Sequence, residues 1–168
     1  GARDLVRSMT FRQWNERACR LANALLGLGL KKGDRVGVLA YNCVEWMEIY
    51  AATAKAGLIA VPINFRLTAP EVTYIMDNSE ARAMIFQEDF VGTVESIQKD
   101  LAVPEDRYVH MGGKKPLAGF RDYEELIATA SPDEPGVDVR PEDTWTFMYT
   151  SGTTGKPKGA IRSHESYV

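Results

Sequence analysis

Two rhythms of apolar and polar positions alternate along this chain, one with a period of three to four residues and one in short unbroken runs. Thr10-Phe11-Arg12-Gln13 has the form of a capping box, and Phe11, Trp14, Ala18, Leu21, Ala22, Leu25 and Leu28 then recur until Gly29. That spacing lays one apolar stripe along a helix, and the glycine suits its left-handed cap. Arg35 to Ala40 is a short apolar run, the mark of a strand buried on both faces. A helix from Asn42 to near Gly57 carries Trp46, Met47, Tyr50, Ala51 and Ala54, and a strand runs from Ile59 to Ile63. Thr68 and Glu71 cap a third helix, with Pro70 in its first turn and Val72, Ile75 and Met76 on its inner stripe. Strand Arg82 to Phe86 follows. The pattern is weaker over Asp89 to Leu101, where Phe90, Val94, Ile97 and Leu101 still define a helix, and Arg107 to Met111 is a strand bounded by Gly112-Gly113. Lys114-Lys115-Pro116 marks a turn, Tyr123 to Ala130 a short helix, and 131–141 a linker that opens acidic and proline-punctuated. Thr144 to Tyr149 alternates, with aromatics at Trp145, Phe147 and Tyr149, as a strand does.

Strands alternating with helices of these lengths predict an α/β fold: parallel βαβ units with right-handed crossovers and helices on both faces of the sheet. Trp14, Trp46 and Tyr50 are assigned to packing, as aromatic and methionine positions are by default.

Composition narrows the function more than the fold. The 168 residues are 45% hydrophobic and 26% charged, with a net charge of −3 and no basic patch, which leaves no electrostatic footprint for nucleic acid or an anionic membrane. No apolar stretch is long enough for a membrane span or a signal peptide. Cys19 and Cys43 fall in helical segments without paired spacing and read as reduced packing residues of a cytoplasmic protein. His110 and His164 are too few and too far apart for a metal site, so no metal ligand is assigned.

The chemistry is concentrated after the last predicted strand, in Tyr149-Thr150-Ser151-Gly152-Thr153-Thr154-Gly155-Lys156-Pro157-Lys158-Gly159. Glycines let the backbone approach a ligand closely, so that successive N–H groups converge on an anion. Hydroxyls donate to phosphate oxygens, and Lys156 and Lys158 add positive charge where a polyphosphate is negative. The stretch is not a Walker-type loop: Gly152 and Gly155 enclose only two residues, and Pro157 after Lys156 prevents a helix from starting at the lysine. A string of this kind also builds plain surface turns. Its place at the carboxyl end of a strand, where open α/β sheets bind ligands, favours the phosphate reading.

Ser151 to Gly159, followed by Ser163-His164, resembles the signature loop of the adenylate-forming superfamily, which includes acyl-CoA synthetases, peptide-synthetase adenylation domains and luciferases. Asp34 to Val38, Glu45 to Gly57 and Val61 to Leu67 resemble the amino-terminal region of the same enzymes in the same order, and Pro62 to Leu67 is most like an acyl-CoA synthetase. The resemblance implies ATP, Mg2+ and coenzyme A, with a carboxylic acid, a fatty acid first, joined to AMP and then to the CoA thiol. It implies that Lys158 is catalytic, offsetting charge on departing pyrophosphate, and that Thr150, Ser151, Gly152, Thr153, Thr154, Gly155, Lys156 and Gly159 hold the phosphates. His164 follows a strand read from Gly159 to Arg162; it is implied to face the nucleotide or acyl group, with capping of a helix from Ser163 as its alternative. The chain stops nine residues after Gly159 and begins Gly1-Ala2-Arg3 without methionine. It is therefore expected to be a partial amino-terminal domain, 1–168, inactive alone, with the groups for adenine, magnesium, acyl chain and CoA beyond Val168. A fragment of an amino-acid-activating domain and a short non-catalytic nucleotide-binding module are the alternatives.

Overall fold

Thr10 and Gln13 satisfy each other's backbone at the start of α1 (Phe11–Gly27): Gln13 N–H donates to Thr10 Oγ1 at 3.2 Å, and Thr10 N–H to Gln13 Oε1 at 2.8 Å. The computed structural model describes residues 9–113, 115–150 and 157–167. After α1 come β1 (Arg35–Leu39), α2 (Glu45–Ala56), β2 (Ile59–Ile63), α3 (Ala69–Asn78), β3 (Ala81–Gln87) and α4 (Val91–Ile97). Then follow β4 (Tyr108–Met111), β5 (Arg121–Asp122), α5 (Tyr123–Thr129), β6 (Thr144–Thr150) and β7 (Lys158–Ser163).

Two helix boundaries differ from the sequence expectation. The second helix begins at Glu45, not Asn42, because Trp46 Nε1–H donates to Tyr41 O at 2.9 Å and Tyr41 N–H to Gln87 Oε1 at 2.9 Å, which holds the entry as a turn. Cys43 therefore precedes the helix. The weak segment from Asp89 divides into a 3₁₀ turn, Glu88–Phe90, and the seven-residue α4, although Phe90, Val94, Ile97 and Leu101 are all buried as the periodicity requires.

The strands form one seven-stranded sheet in the order β5-β4-β3-β1-β2-β6-β7. β1 to β6 pair in parallel, while β7 returns antiparallel to β6 along the edge. The parallel α/β expectation holds for the body of the sheet, and the strand expected over Gly159 to Arg162 is β7; its antiparallel pairing with β6 and the two-residue β5 are the additions. Alternation splits the core into two layers. Val36, Val38, Ala83, Ile85 and Val109 face α1, α2 and α5, with Leu21, Leu25, Ile49, Ala52 and Ile127 packed against them. Leu39, Met84, Phe86 and Tyr108 face α3 and α4, with Val72, Ile75, Met76, Val94 and Ile97. Gly37 sits under α3, where a Cβ would come within 2.3 Å of Met76 Sδ.

A buried ionic cluster ties α1, α2 and α5 together, and no sequence period announces it. Glu48 has no exposed surface, and Arg17 meets it with two bonds of 2.8 and 3.0 Å while also reaching Glu124 at 2.7 Å. Tyr123 O–H donates to Glu48 Oε2 at 2.9 Å. Burial, with the Glu48 charge beside it, pushes the Tyr123 phenol well up. The hydrogen bond to Glu124 leads the causes that raise Arg17 above its ordinary value.

The default of aromatic and methionine positions to the core is corrected in part. Trp14, Trp46 and Tyr50 are only half-buried, and Phe11, Met47, Met148 and Tyr167 are exposed.

Candidate functional site

The alternating residues of β6 divide its side chains between the two faces of the sheet. Phe147 and Tyr149 turn toward α3, with ring centroids 5.2 Å apart, and pack on the core layer there. Thr146, Met148 and Thr150 turn the other way, toward α2. The hairpin register pairs Thr150 with Lys158 and Met148 with Ala160, so Lys158 shares the α2-side face with Thr150. Thr150 Oγ1–H reaches Lys158 O at 3.5 Å. Lys158 is exposed and makes no ion pair among the described residues.

Both stems of the loop are pinned by α3. Tyr149 O–H donates to Asn78 Oδ1 at 2.7 Å on the incoming strand, and Tyr74 O–H to Pro157 O at 3.4 Å on the outgoing one. Burial raises the Tyr149 phenol above its usual range, so it stays a hydrogen-bond donor at neutral pH. Tyr74 and Asn78 escape sequence reasoning: the first reads as one more aromatic of a helix, the second as a helix-ending residue.

Six of the sequence-predicted residues, Ser151, Gly152, Thr153, Thr154, Gly155 and Lys156, lie outside the described residues. The three others in the hairpin fare differently. Thr150 and Lys158 come together across the loop's base. Gly159 is fixed by packing, since a Cβ there would stand 2.0 Å from Phe147 Cε2. That requirement for glycine is independent of any nucleotide.

His164 stands apart from the rest. Ser163 pairs with Thr144, at the opposite end of β6 from Thr150. Six residues at about 3.3 Å each put roughly 20 Å between the two ends. This sets His164 apart from Thr150 and Lys158, and in place of the helix expected from Ser163 the residues Glu165–Tyr167 form a 3₁₀ turn. The His164 ring stacks on Trp145, centroids 5.4 Å apart and planes 7° from parallel, with Nε2 buried and unpartnered among the described residues. Burial lowers its pKa below the ordinary 6.5.

A cleft of about 560 Å³ opens at the carboxyl ends of β1, β2 and β6, beside the start of the loop. Asn42, Cys43, Trp46, Asn64, Phe65 and Met148 line it. Burial pushes the Cys43 thiol up to about 11, which keeps it protonated at neutral pH. Among the described residues no cluster of His, Cys, Asp and Glu is arranged to hold a metal, and no helix is long and apolar enough to cross a membrane.

This arrangement of sheet, hairpin and cleft has known counterparts. The family model described as AMP-binding enzyme matches residues 2–168. The chain belongs to the AMP-binding enzyme family. It is 39% identical over 158 residues to the long-chain-fatty-acid–CoA ligase FadD13 of Mycobacterium tuberculosis, a match covering 94% of this chain and 30% of that enzyme. It is 35% identical to the fatty acid–[acyl-carrier-protein] ligase ScoC of Streptomyces coeruleorubidus, over 96% of this chain and 29% of that one. Among solved structures, the anthranilate CoA ligase AuaEII in complex with anthranoyl-AMP superposes with a TM-score of 0.90 at 36% identity, covering 96% of this chain and 31% of that one. This member of the AMP-binding family thus spans about 30% of the length of the curated relatives it matches.

Proposed function

We infer that the protein carrying this chain is an ATP-dependent acyl-CoA synthetase, and that this chain supplies its pyrophosphate-gripping hairpin. A carboxylate oxygen of the acid attacks the α-phosphorus of ATP, forming the acyl–phosphate bond as the bond to the β-phosphate oxygen breaks, so that pyrophosphate leaves. The CoA thiolate then attacks the acyl carbon and AMP departs. The loop Ser151–Lys156, with Thr150 and Lys158 at its base, is our assignment for the β- and γ-phosphates. Lys158 offsets the negative charge that builds on the departing pyrophosphate, and removing one such fixed donor costs on the order of 3 kcal/mol of transition-state stabilisation. Gly159 serves by letting β7 close against Phe147, and His164 is not in the set.

The observation that carries the reading is the double pinning of the loop's stems by Tyr149–Asn78 and Tyr74–Pro157 at the carboxyl end of a parallel strand. A glycine-rich loop held at both ends loses less freedom when it closes on a phosphate than one on free stems. The cleft beside it supports the reading by giving the rest of the nucleotide or the acid a place next to the loop. A fatty acid is the favoured substrate and CoA the favoured acceptor, because a long-chain-fatty-acid–CoA ligase is the relative with 39% identity. Magnesium accompanies ATP in this reading, with no ligand assigned in this chain, and the two unpaired thiols agree with a cytoplasmic setting. Relatives three times as long as the matched part support the view that residues 1–168 are inactive alone.

ATP–pyrophosphate exchange by the whole protein tests this, with fatty, aromatic and amino acids as a panel. Exchange stimulated most by a fatty acid is expected, and stimulation only by amino acids, or by none, overturns the assignment.

A further inference from the structure

β6 carries one residue more than its pairing with β7 uses. Thr144 pairs with Ser163 and Thr146 with Arg162, so Trp145 has no residue opposite it and forms a β-bulge. The sequence sets Trp145, Phe147 and Tyr149 at alternate positions, which in a regular strand gives all of them one face. The bulge breaks that parity. Trp145 joins Thr146, Met148 and Arg162 along an apolar groove of about 700 Å³ on the α2 side, while Phe147 and Tyr149 pack on the α3 side.

Contacts from separate elements hold Trp145 there. Its Nε1–H donates to Tyr50 O of α2 at 3.1 Å, its face stacks on the His164 ring, and the Tyr167 ring meets it edge-on at 4.9 Å. His164 is itself tied to the start of the strand: its backbone N–H donates to Asp143 O at 3.1 Å, and that of Glu165 to Pro141 O at 2.9 Å.

Flattening the bulge, with the base of the hairpin still paired as it is, moves the rest of β6 by one position against β7. Thr146 then stands opposite Ile161 in place of Arg162, and Tyr149 opposite Lys158. Residues directly opposite share a face of the sheet, so Lys158 leaves the side of Thr150 and joins that of Tyr149. The extra residue is what brings Lys158 and Thr150 together.

We propose that Trp145, clamped by His164, is a positioning residue: it fixes the bulge, and the bulge sets the register that presents Lys158 and Thr150 on one face at the loop's base. Bulges beside reaction sites re-aim side chains in this way. The consequence for chemistry rests on the assignment of Lys158 and Thr150 to pyrophosphate; the register does not. His164 acts here through the face of its ring, which phenylalanine also offers.

Cysteine pairs in the whole protein read the register directly, because side chains on opposite residues come within disulfide reach and those on opposite faces do not. Thr146→Cys with Arg162→Cys reports the observed pairing, and Thr146→Cys with Ile161→Cys the slipped one, each oxidised with diamide and mapped by mass spectrometry. The first pair is expected to link in the otherwise unaltered protein and with His164→Phe. With Trp145→Val, whose branched side chain suits a flat strand, or with His164→Ala, the slipped pair should gain at least about tenfold on the first. Acid-dependent ATP–pyrophosphate exchange, measured without the cysteines, should fall about tenfold or more in Trp145→Val and His164→Ala and hold in His164→Phe. Unslipped pairing in every variant overturns the proposal. Equal loss of exchange in His164→Phe and His164→Ala with the register intact overturns it too, in favour of a direct contact between His164 and substrate. Slipped pairing with undiminished exchange supports the bulge as the cause of the register and overturns the reading of the hairpin as the pyrophosphate grip.

Discussion

Gly159 illustrates how one residue satisfies two readings and how packing separates them. In the sequence it closes a phosphate-loop pattern; in the fold its missing side chain makes room for the Phe147 ring across the hairpin. Gly159→Ala is therefore expected to destabilise the hairpin by about 1–3 kcal/mol, the usual cost of overpacking, read as a lowered midpoint in thermal unfolding. An unchanged midpoint would show that the ring yields freely. His164 makes a prediction of opposite kind, about pH. Burial favours its neutral form, so its folded pKa lies below 6.5, and between the two values the unfolded chain holds more protons than the folded one. Stability should then fall as pH drops below about 6.5, ahead of the losses from Glu71, Glu134 and Asp143, whose lowered values place their effect below the ordinary carboxylate range. His164→Gln should flatten the slope between pH 7 and 5.5 in unfolding midpoints, and an unaltered slope contradicts the burial argument.

At the scale of elements, what the sequence made legible was whatever has a period. The stripe from Ala18 to Leu25, the capping boxes at Thr10 and Thr68, and the buried strands each announce themselves within a dozen residues, because helix and strand geometry act locally, although Phe11 at the head of the expected stripe is exposed. Contacts between distant residues leave no such trace. The Arg17–Glu48–Glu124–Tyr123 cluster and the hold of α3 on the loop's stems join positions tens of residues apart, and the antiparallel direction of β7, though it pairs nearer neighbours, has no period of its own. The site was thus legible as a string and not as a place: Thr150 and Lys158 meet, whereas His164, close in sequence, is carried to the far end of the sheet by the direction of β7. Tyr149→Phe tests the role of α3. Losing the bond to Asn78 should raise the KM for ATP a few-fold while the KM for the acid stays put, since a freed loop costs more to order, on the order of 1 kcal/mol for one neutral hydrogen bond. Equal changes in both constants would assign the bond to general stability.

Across the whole molecule, a two-layered core supports a sheet whose carboxyl edge gathers a loop, a cleft and a groove on adjoining surfaces. Helices cover both layers of the core, and the cleft and the apolar groove lie on either side of the start of β6 and its neighbours, beside the loop's stems. The account rests on the loop of this edge holding the leaving pyrophosphate, with Lys158 countering its charge. Lys158→Ala in the whole protein, assayed by acid-dependent ATP–pyrophosphate exchange alongside acid binding, tests that most directly. The expected result is a loss of about a hundredfold in exchange rate with acid affinity unchanged, the effect of one lost charge-stabilising donor; an exchange rate equal to that of the unaltered protein would contradict it.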